Sequence, residues 1–284
     1  MIQVVTDSMS DLTPSEAEEL GVVLIPLTVR FGTHEYREGY DISREEFYAR
    51  LRASTELPKT SQLPPNVLLE TFESILKKDP TCEILYISGS SRISGCYQSA
   101  VNAREMLDEK ERVVILDSLI AISGEALLVR MAAQKAKLYG SAQELADLIQ
   151  SFRDRQRCFG QAEDLKYLVM GGRLSPLVAK MGTALSIKPM LKFENGEILQ
   201  AGLIRGKGKA RAWYLEKLQQ YPPRLDCPLV IAGCDCPADV EKLKEFFKSQ
   251  KLELPEILTM GVGAVIGTHV GPGLVAVSWI ERDE

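Results

Sequence analysis

Residues Ile84–Ala100 read ILYISGSSRISGCYQSA. The stretch opens on an apolar run, Ile84-Leu85-Tyr86-Ile87, which has the composition of a buried strand. It passes into a loop, Ser88–Gly95, holding four serines, two glycines and one arginine. It leaves through Cys96-Tyr97-Gln98-Ser99-Ala100, the first turns of a helix. A strand that feeds a helix through a short small-residue loop is half of a βα unit, and it places the chain among α/β folds. Such a loop suits three chemistries: it can hold a nucleophile, cradle a phosphate or hold a carboxylate.

The same alternation extends to both sides. IQVVTDS reads as a strand. TPSEAEELG reads as a helix with Thr13 at the N-cap, Pro14 at N1, Glu16 at N3 and Gly21 at its end. VVLIPLTVRFG reads as a second strand, SREEFYARLRAS as a helix capped by Ser43, and PPNVLLETFESILKK as another helix. After the serine loop a helix runs to about Glu109, RVVILDS is a strand, and SGEALLVRMAAQKAKLYG is a long amphipathic helix. Strands separated by helices imply crossover connections and a parallel sheet covered on both faces.

The texture changes after about residue 141. SAQELADLIQSFRDRQRC reads as a charged helix and LKYLVMGGRLSP follows it. In ALSIKPMLKFENGEILQAGLIRGKGKA two strands meet at Glu194-Asn195-Gly196-Glu197, where Asn-Gly is the strongest short hairpin signal. Helix, strand, helix and strand then close the chain: RAWYLEKLQQY, PLVIAGCD, DVEKLKEFFKSQ and EILTMGVGAVIGTHVGPGLVAVSWI. The expected organisation is two α/β domains. Residues 1–153 form an N-terminal domain with a mostly parallel sheet flanked by helices, and 154–284 a smaller C-terminal domain.

A net charge of −5 over 284 residues argues against a general nucleic-acid surface, which needs a basic face. The start, MIQVVTDSMSDL, has no basic segment leading into a long apolar run, and no stretch is long and apolar enough to span a bilayer. A cytoplasmic protein with no membrane span is expected. The six cysteines read as thiols in a reducing compartment. The close pair Cys234 and Cys236 reads as a strand end rather than a metal site. Only His34 and His269 are available to complete a zinc set, so no metal is expected.

Each chemistry for the serine loop meets a test. A nucleophile elbow needs G-x-S-x-G, and Ser94 has Arg92 and Cys96 at the flanking positions. A serine esterase or acyl hydrolase using Ser94 with His269 as base stays as the alternative. A Walker loop is absent, and GVGAVIG lies in the wrong context for a dinucleotide fingerprint. RGKGKAR, from Arg205 to Arg211, reads as a solvated basic loop leading into a helix. The third chemistry is an anion cradle at the start of the helix after Gly95, where unsatisfied N–H groups and the Ser94 hydroxyl can serve an anion. Ser94 is equally suited to capping that helix. His34, in FGTHEY, reads as a loop residue. His269 lies in a glycine-flanked turn and reads as functional. Asp7 and Ser8, ending the first strand, suit either the site or a cap.

Over its whole length the chain resembles the DegV family of bacterial fatty-acid-binding proteins. VVTDSMSDL resembles the family's D-S-x-x-D-L opening, at Asp7, Ser8, Asp11 and Leu12. PKTSQLPPN resembles its T-S-Q-P segment, at Thr60, Ser61 and Gln62. The serine loop resembles S-S-x-x-S-G-T-Y-Q-S-A, LKYLVMGGRLS resembles L-x-x-L-x-x-G-G-R and places Arg173, and GTHVGPGLVAV resembles H-x-G-P-G and places His269. The resemblance implies one long-chain fatty acid, C16–C18 such as palmitate, buried between two α/β domains without a cofactor. Its carboxylate is expected among Thr60, Ser61, Ser94, Gly95, Arg173 and His269. The resemblance also implies a non-catalytic role. The protein would be the binding subunit of a fatty acid kinase, presenting the carboxylate to a separate ATP-dependent subunit that makes the acyl phosphate. Arg205, followed by Lys207, Lys209 and Arg211, is expected on the docking face for that partner. The chain departs from the family with Cys96 in place of threonine, Leu63 between Gln62 and Pro64, and Glu38 where aspartate is usual.

Overall fold

A computed structural model describes residues 1–174 and 187–283. The first half runs β1 (Ile2–Asp7), α1 (Pro14–Leu20), β2 (Val23–Ile25), β3 (Thr28–Phe31), β4 (His34–Arg37), α2 (Arg44–Ala53) and β5 (Lys59–Ser61). It continues with α3 (Pro65–Lys78), β6 (Glu83–Ser88), α4 (Cys96–Glu105), β7 (Val113–Asp117), α5 (Ser123–Lys135) and α6 (Ala142–Arg153). The second half runs β8 (Gln156–Gln161), α7 (Lys166–Met170), β9 (Ile187–Glu194), β10 (Glu197–Arg205) and α8 (Lys207–Gln220). It closes with β11 (Leu229–Gly233), α9 (Pro237–Lys248), β12 (Ile257–Gly261), α10 (Ala264–Val270) and β13 (Val275–Ile280).

The expected parallel sheet is present, in the order β2-β1-β6-β7 with every pairing parallel. A second sheet, β10-β9-β8-β13-β11-β12, is mixed, with only β11 and β12 parallel. Local signals place several elements as read. Thr13 and Glu16 form a reciprocal capping box on α1, which ends at Gly21. Ser43 caps α2 by accepting from the Glu46 N–H. β9 and β10 meet at Asn195-Gly196, both with positive φ.

Other segments fold differently from their local pattern. VVLIPLTVRFG is not one strand. Pro26 separates β2, in the parallel sheet, from β3, which joins β4 and β5 in a third, antiparallel sheet. His34 therefore lies on a strand, exposed, rather than in a loop. The helix after the serine loop stops at Glu105 instead of Glu109, where its last turn tightens to i→i+3 bonds at Met106 and Leu107. The charged helix from 141 ends at Arg153, and the last residues read into it, Gln156–Cys158, begin strand β8. The basic cluster after Arg205 forms the first turns of α8 rather than a loop. The glycine-rich stretch before the C-terminus holds β12, α10 and β13 rather than one strand. Residues 175–176 and 184–186 of the segments read from sequence lie outside the described residues.

SGEALLVRMAAQK shows why position overrides pattern. Read as amphipathic, α5 is buried almost all round. It packs against β1 and β6 of the parallel sheet and against β8, β11 and β13 of the mixed sheet. A helix between two sheets has no solvent face, so small and apolar residues surround it. This central helix brings the two sheets together beside the ends of β6 and β13.

Candidate functional site

The C-terminal ends of the inner strands β1 and β6 are tied together by Asp7. Its buried carboxylate accepts from Met9 N at 2.9 Å, from Tyr86 Oη at 2.8 Å and from Gly89 N at 3.4 Å. Burial nevertheless raises its pKa. Ser8 Oγ accepts from Leu27 N at 3.0 Å. Neither lines the cavity above them, so both serve the scaffold. From there the serine loop is tied by its own backbone. Ile93 N and Ser94 N donate to Ser90 O at 3.2 and 3.1 Å, and Cys96 N donates to Ser94 Oγ at 3.3 Å. Ser90 Oγ reaches across to Gly196 O at 2.7 Å, coupling the loop to the β9–β10 turn.

Above the loop lies a cavity of about 200 Å³. Thr60, Ser61, Ser94, Gly95, Arg173 and His269 all line it. Its other wall is apolar and includes Met9, Ile122, Phe193, Ile198 and Val270. Residues placed far apart in the chain thus form one chamber with a polar end and an apolar end. Ser61 and the neighbouring Gln62 are exposed, which puts the polar end at the surface. Arg205 does not line the chamber and is exposed at the end of β10.

His269 sits in the last turn of α10, not in an open turn. Its Nε2 lies 2.8 Å from Thr60 Oγ1, and its Nδ1 is buried with no hydrogen-bond partner. Burial, and then the charge of Arg173, lower its pKa to about 4. The ring is therefore neutral at pH 7. A proton on Nδ1 would be a buried donor with nothing to receive it, so the Nε2–H tautomer is assigned. In that tautomer Nε2–H donates to Thr60, and the threonine hydroxyl keeps its own proton to donate into the chamber. The esterase alternative needs His269 to take a proton from Ser94. Its Nε2 is engaged with Thr60 instead, and Ser94 Oγ with the Cys96 amide.

Arg173 folds back beneath this pair. Its Nη1 donates to Gly171 O at 2.5 Å and its Nε to Ile93 O at 3.2 Å, while burial lowers its pKa from the usual value. The guanidinium still carries its charge, now held between the segment after α7 and the serine loop. The two glycines before it have different reasons: a Cβ on Gly171 would lie 2.5 Å from His269 Nδ1, and Gly172 has a left-handed φ of 73°. Gly95 is explained as Gly171 is, since a Cβ there would lie 1.7 Å from Gln62 Oε1. Gln62 also donates to Ser99 Oγ at 3.3 Å, pinning the strand that carries Thr60 to α4. Cys96 turns away from the chamber. It is fully buried, accepts weakly from Leu63 N at 3.4 Å, and burial pushes its pKa up to about 12.

The apolar wall is what the sequence reading missed. Ile122 precedes α5, Phe193 and Ile198 face each other across the β9–β10 hairpin, and Val270 ends α10, and nothing in the sequence marks the three places as one wall. Among the described residues no group of histidine, cysteine, aspartate and glutamate could hold a metal ion. Among the same residues no helix is long and apolar enough to cross a membrane. Cys234 is buried at the end of β11, and the half-buried Cys236 donates to Leu274 O at 3.4 Å.

The arrangement is one donor-rich chamber end (three hydroxyls, a neutral imidazole and a guanidinium) leading into an apolar wall, and it suits an amphiphile with an anionic head. A DegV domain-containing protein of Halalkalibacterium halodurans is 34% identical over 98% of both chains. A DegV family protein of Thermus thermophilus, described as binding fatty acid, superposes with a TM-score of 0.90 at 27% identity, over 99% of both chains. DegV of Bacillus subtilis, described as a fatty acid binding protein, gives a TM-score of 0.84 at 29% identity, again over 99% of both. The model of the DegV family COG1307, whose description is "uncharacterised protein", matches residues 1–282, and the chain belongs to the DegV family.

Proposed function

We propose that the protein binds one long-chain fatty acid, of the C16–C18 class, with its carboxylate in the Thr60–His269 chamber and its tail along the apolar wall. The observation that carries this reading is the chamber itself, in which Thr60, Ser94, Arg173 and His269 face Ile122, Phe193, Ile198 and Val270. Each buried methylene contributes ~0.8 kcal/mol, so a chain of about fifteen contributes on the order of 12 kcal/mol before ordering costs. The tail supplies the affinity. The polar end has only to satisfy a carboxylate that would otherwise be left unpaired.

The head-group residues also set what the bound acid can do. Hydroxyl donors and one guanidinium already engaged with two carbonyl oxygens stabilise a carboxylate without enclosing it. An oxygen near exposed Ser61 and Gln62 stays open to a partner. We read the protein as the binding subunit of a fatty acid kinase, itself without catalytic residues. The carboxylate oxygen attacks the γ-phosphorus of ATP held by a separate kinase subunit, ADP leaves, and the acyl phosphate forms. Arg205, exposed at the end of β10 beside the chain's basic cluster, is assigned to the docking face, where arginine suits an oxyanion-bearing partner.

Mass spectrometry of denatured protein purified from bacteria tests the binding reading. One equivalent of free C16–C18 acid supports it, and an acyl adduct on Ser94 overturns it in favour of the esterase. A reconstituted phosphorylation assay tests the partnership. Arg205→Ala should keep its lipid and lose acyl phosphate formation. Equal loss of both removes Arg205 from the docking face.

A further inference from the structure

Three cavities meet at one side chain. The 200 Å³ chamber shares Ile122, Phe193, Ile198 and Val270 with a smaller apolar cavity of about 30 Å³, which continues along Leu168, Leu191, Leu274 and Ala276. That small cavity shares Cys158, Lys192 and Phe193 with a crevice of about 590 Å³. Among the described residues, Phe193 alone lines all three.

The crevice has a structural origin. β8 and β9 pair only at Phe159–Lys192, Gly160–Leu191 and Gln161–Met190. Beyond Lys192 the strands splay, and Phe193 stays paired only with Ile198 of β10. The opening is lined by charged side chains, including Arg153, Arg157, Lys192 and Glu194, several of them in ion pairs. It is a place for water. The half-buried Phe193 ring packs against two core clusters, those on the opposite faces of the parallel sheet, and it lines both the apolar chamber and this wet crevice.

Pockets for drug-sized ligands measure about 300–1,000 Å³. A chamber of 200 Å³ with a 30 Å³ extension is smaller than that, so the room left for the tail is set by its walls. We propose that the Phe193 ring is the partition that keeps the lipid tail out of the polar crevice and thereby limits the length of chain the protein accepts. This rests on the fatty-acid reading. Removing the ring joins the chamber to the crevice and lets the end of a longer tail cross.

The test compares wild type, Phe193→Ala and Phe193→Leu, each delipidated and offered an equal mixture of saturated C14–C22 acids. Retained acids are extracted and quantified. Each methylene in a fully apolar wall is worth roughly fourfold in affinity. The crevice is partly polar, so the C20-to-C16 ratio should rise by about tenfold in the alanine variant and less in the leucine variant. Cys158 gives a second readout, because it is 5% exposed and borders both the small cavity and the crevice. Its alkylation by a maleimide should accelerate at least several-fold in Phe193→Ala and slow again when acid is bound. Phe193→Leu, which keeps an apolar side chain on the strand, carries the test if the alanine variant unfolds. Folded variants with unchanged chain-length ratio and unchanged Cys158 reactivity overturn the partition. A wild type that retains no acid overturns the fatty-acid reading instead, and the Cys158 rates then decide the partition on their own.

Discussion

Ser94 and His269 line the same chamber, but the chain fixes them by different means. The bonds that shape the loop around Ser94 are local: Ile93 and Ser94 amides to Ser90 O, Arg92 N to Ser90 Oγ, Cys96 N to Ser94 Oγ. α10, which carries His269, is held from afar. Gly263 N donates to Asp11 Oδ1 at 2.7 Å, Val265 N to Glu38 Oε1 at 3.0 Å, and Tyr48 Oη to Val262 O at 3.1 Å. The sequence GVGAVIGTHVG is rich in glycine and β-branched residues, poor helix formers with no capping side chain of their own. Two buried carboxylates from the first forty residues supply the cap instead. Burial raises the pKa of both, and each keeps one oxygen without a hydrogen bond. The turn at Ser94 is thus closed by its neighbours in the chain, although the start of the loop is also tied to Asp7, Asp117, Ile120 and Gly196, whereas the histidine helix is capped entirely by the rest of the fold.

The largest expected effect follows from removing that distant cap. Glu38→Ala strips the acceptor from the Val265 amide inside the core and should cost about 3 kcal/mol of stability, with loss of lipid retention. Glu38→Gln keeps the acceptor and removes a charge next to Asp11, so it should stay within about 1 kcal/mol of wild type. Thermal unfolding of the two variants decides this. Equal destabilisation by Ala and Gln would show that the charge, not the amide cap, holds α10.

The next effect is on pH dependence. An unfolded histidine titrates near 6.5, whereas His269 is lowered to about 4. Between those values the unfolded chain binds a proton that the folded chain does not. Stability therefore falls as pH drops from about 6.5 towards 4. Lipid-free wild type should lose about 2 kcal/mol more than His269→Gln between pH 8 and pH 5. The comparison cancels the buried Asp7, Asp11, Glu38 and Glu125, whose raised pKa values tilt the profile the other way. Parallel profiles would contradict a buried neutral histidine.

This contrast also explains what was legible in the sequence. Strand β6, its loop and α4 were readable because periodicity, serines and glycines carry the signal within seventeen residues. α1, α2 and the Asn195-Gly196 hairpin were readable for the same reason. α10 was not, since its cap lies more than two hundred residues away in the chain. β8 hid in a charged run because its pairing with β13 and β9, not its composition, makes it a strand. Of the polar members of the chamber, Ser94, Gly95 and His269 stood out from the residues themselves, as an anion cradle and a histidine in a glycine-flanked turn, and Thr60, Ser61 and Arg173 came through family resemblance. The apolar members were not placed, because Ile122, Phe193 and Ile198 look like any core residue until the fold brings them to one wall.

The smallest effect belongs to the locally built side. Ser94→Ala should weaken lipid retention by about 1 kcal/mol, with little change in thermal stability, because neighbouring backbone bonds keep the loop in place. A collapse of stability with lipid binding intact would make Ser94 a helix cap alone.

The central claim is that the Thr60–His269 pair and its neighbours hold the carboxylate of a fatty acid. Carbon-13 NMR of palmitate labelled at its carboxyl carbon reports on that group alone. With wild type, the bound carboxyl should give one resonance separate from free palmitate, and Thr60→Val and His269→Gln should each shift it. A bound resonance that both variants leave unchanged would place the carboxylate elsewhere and contradict the account.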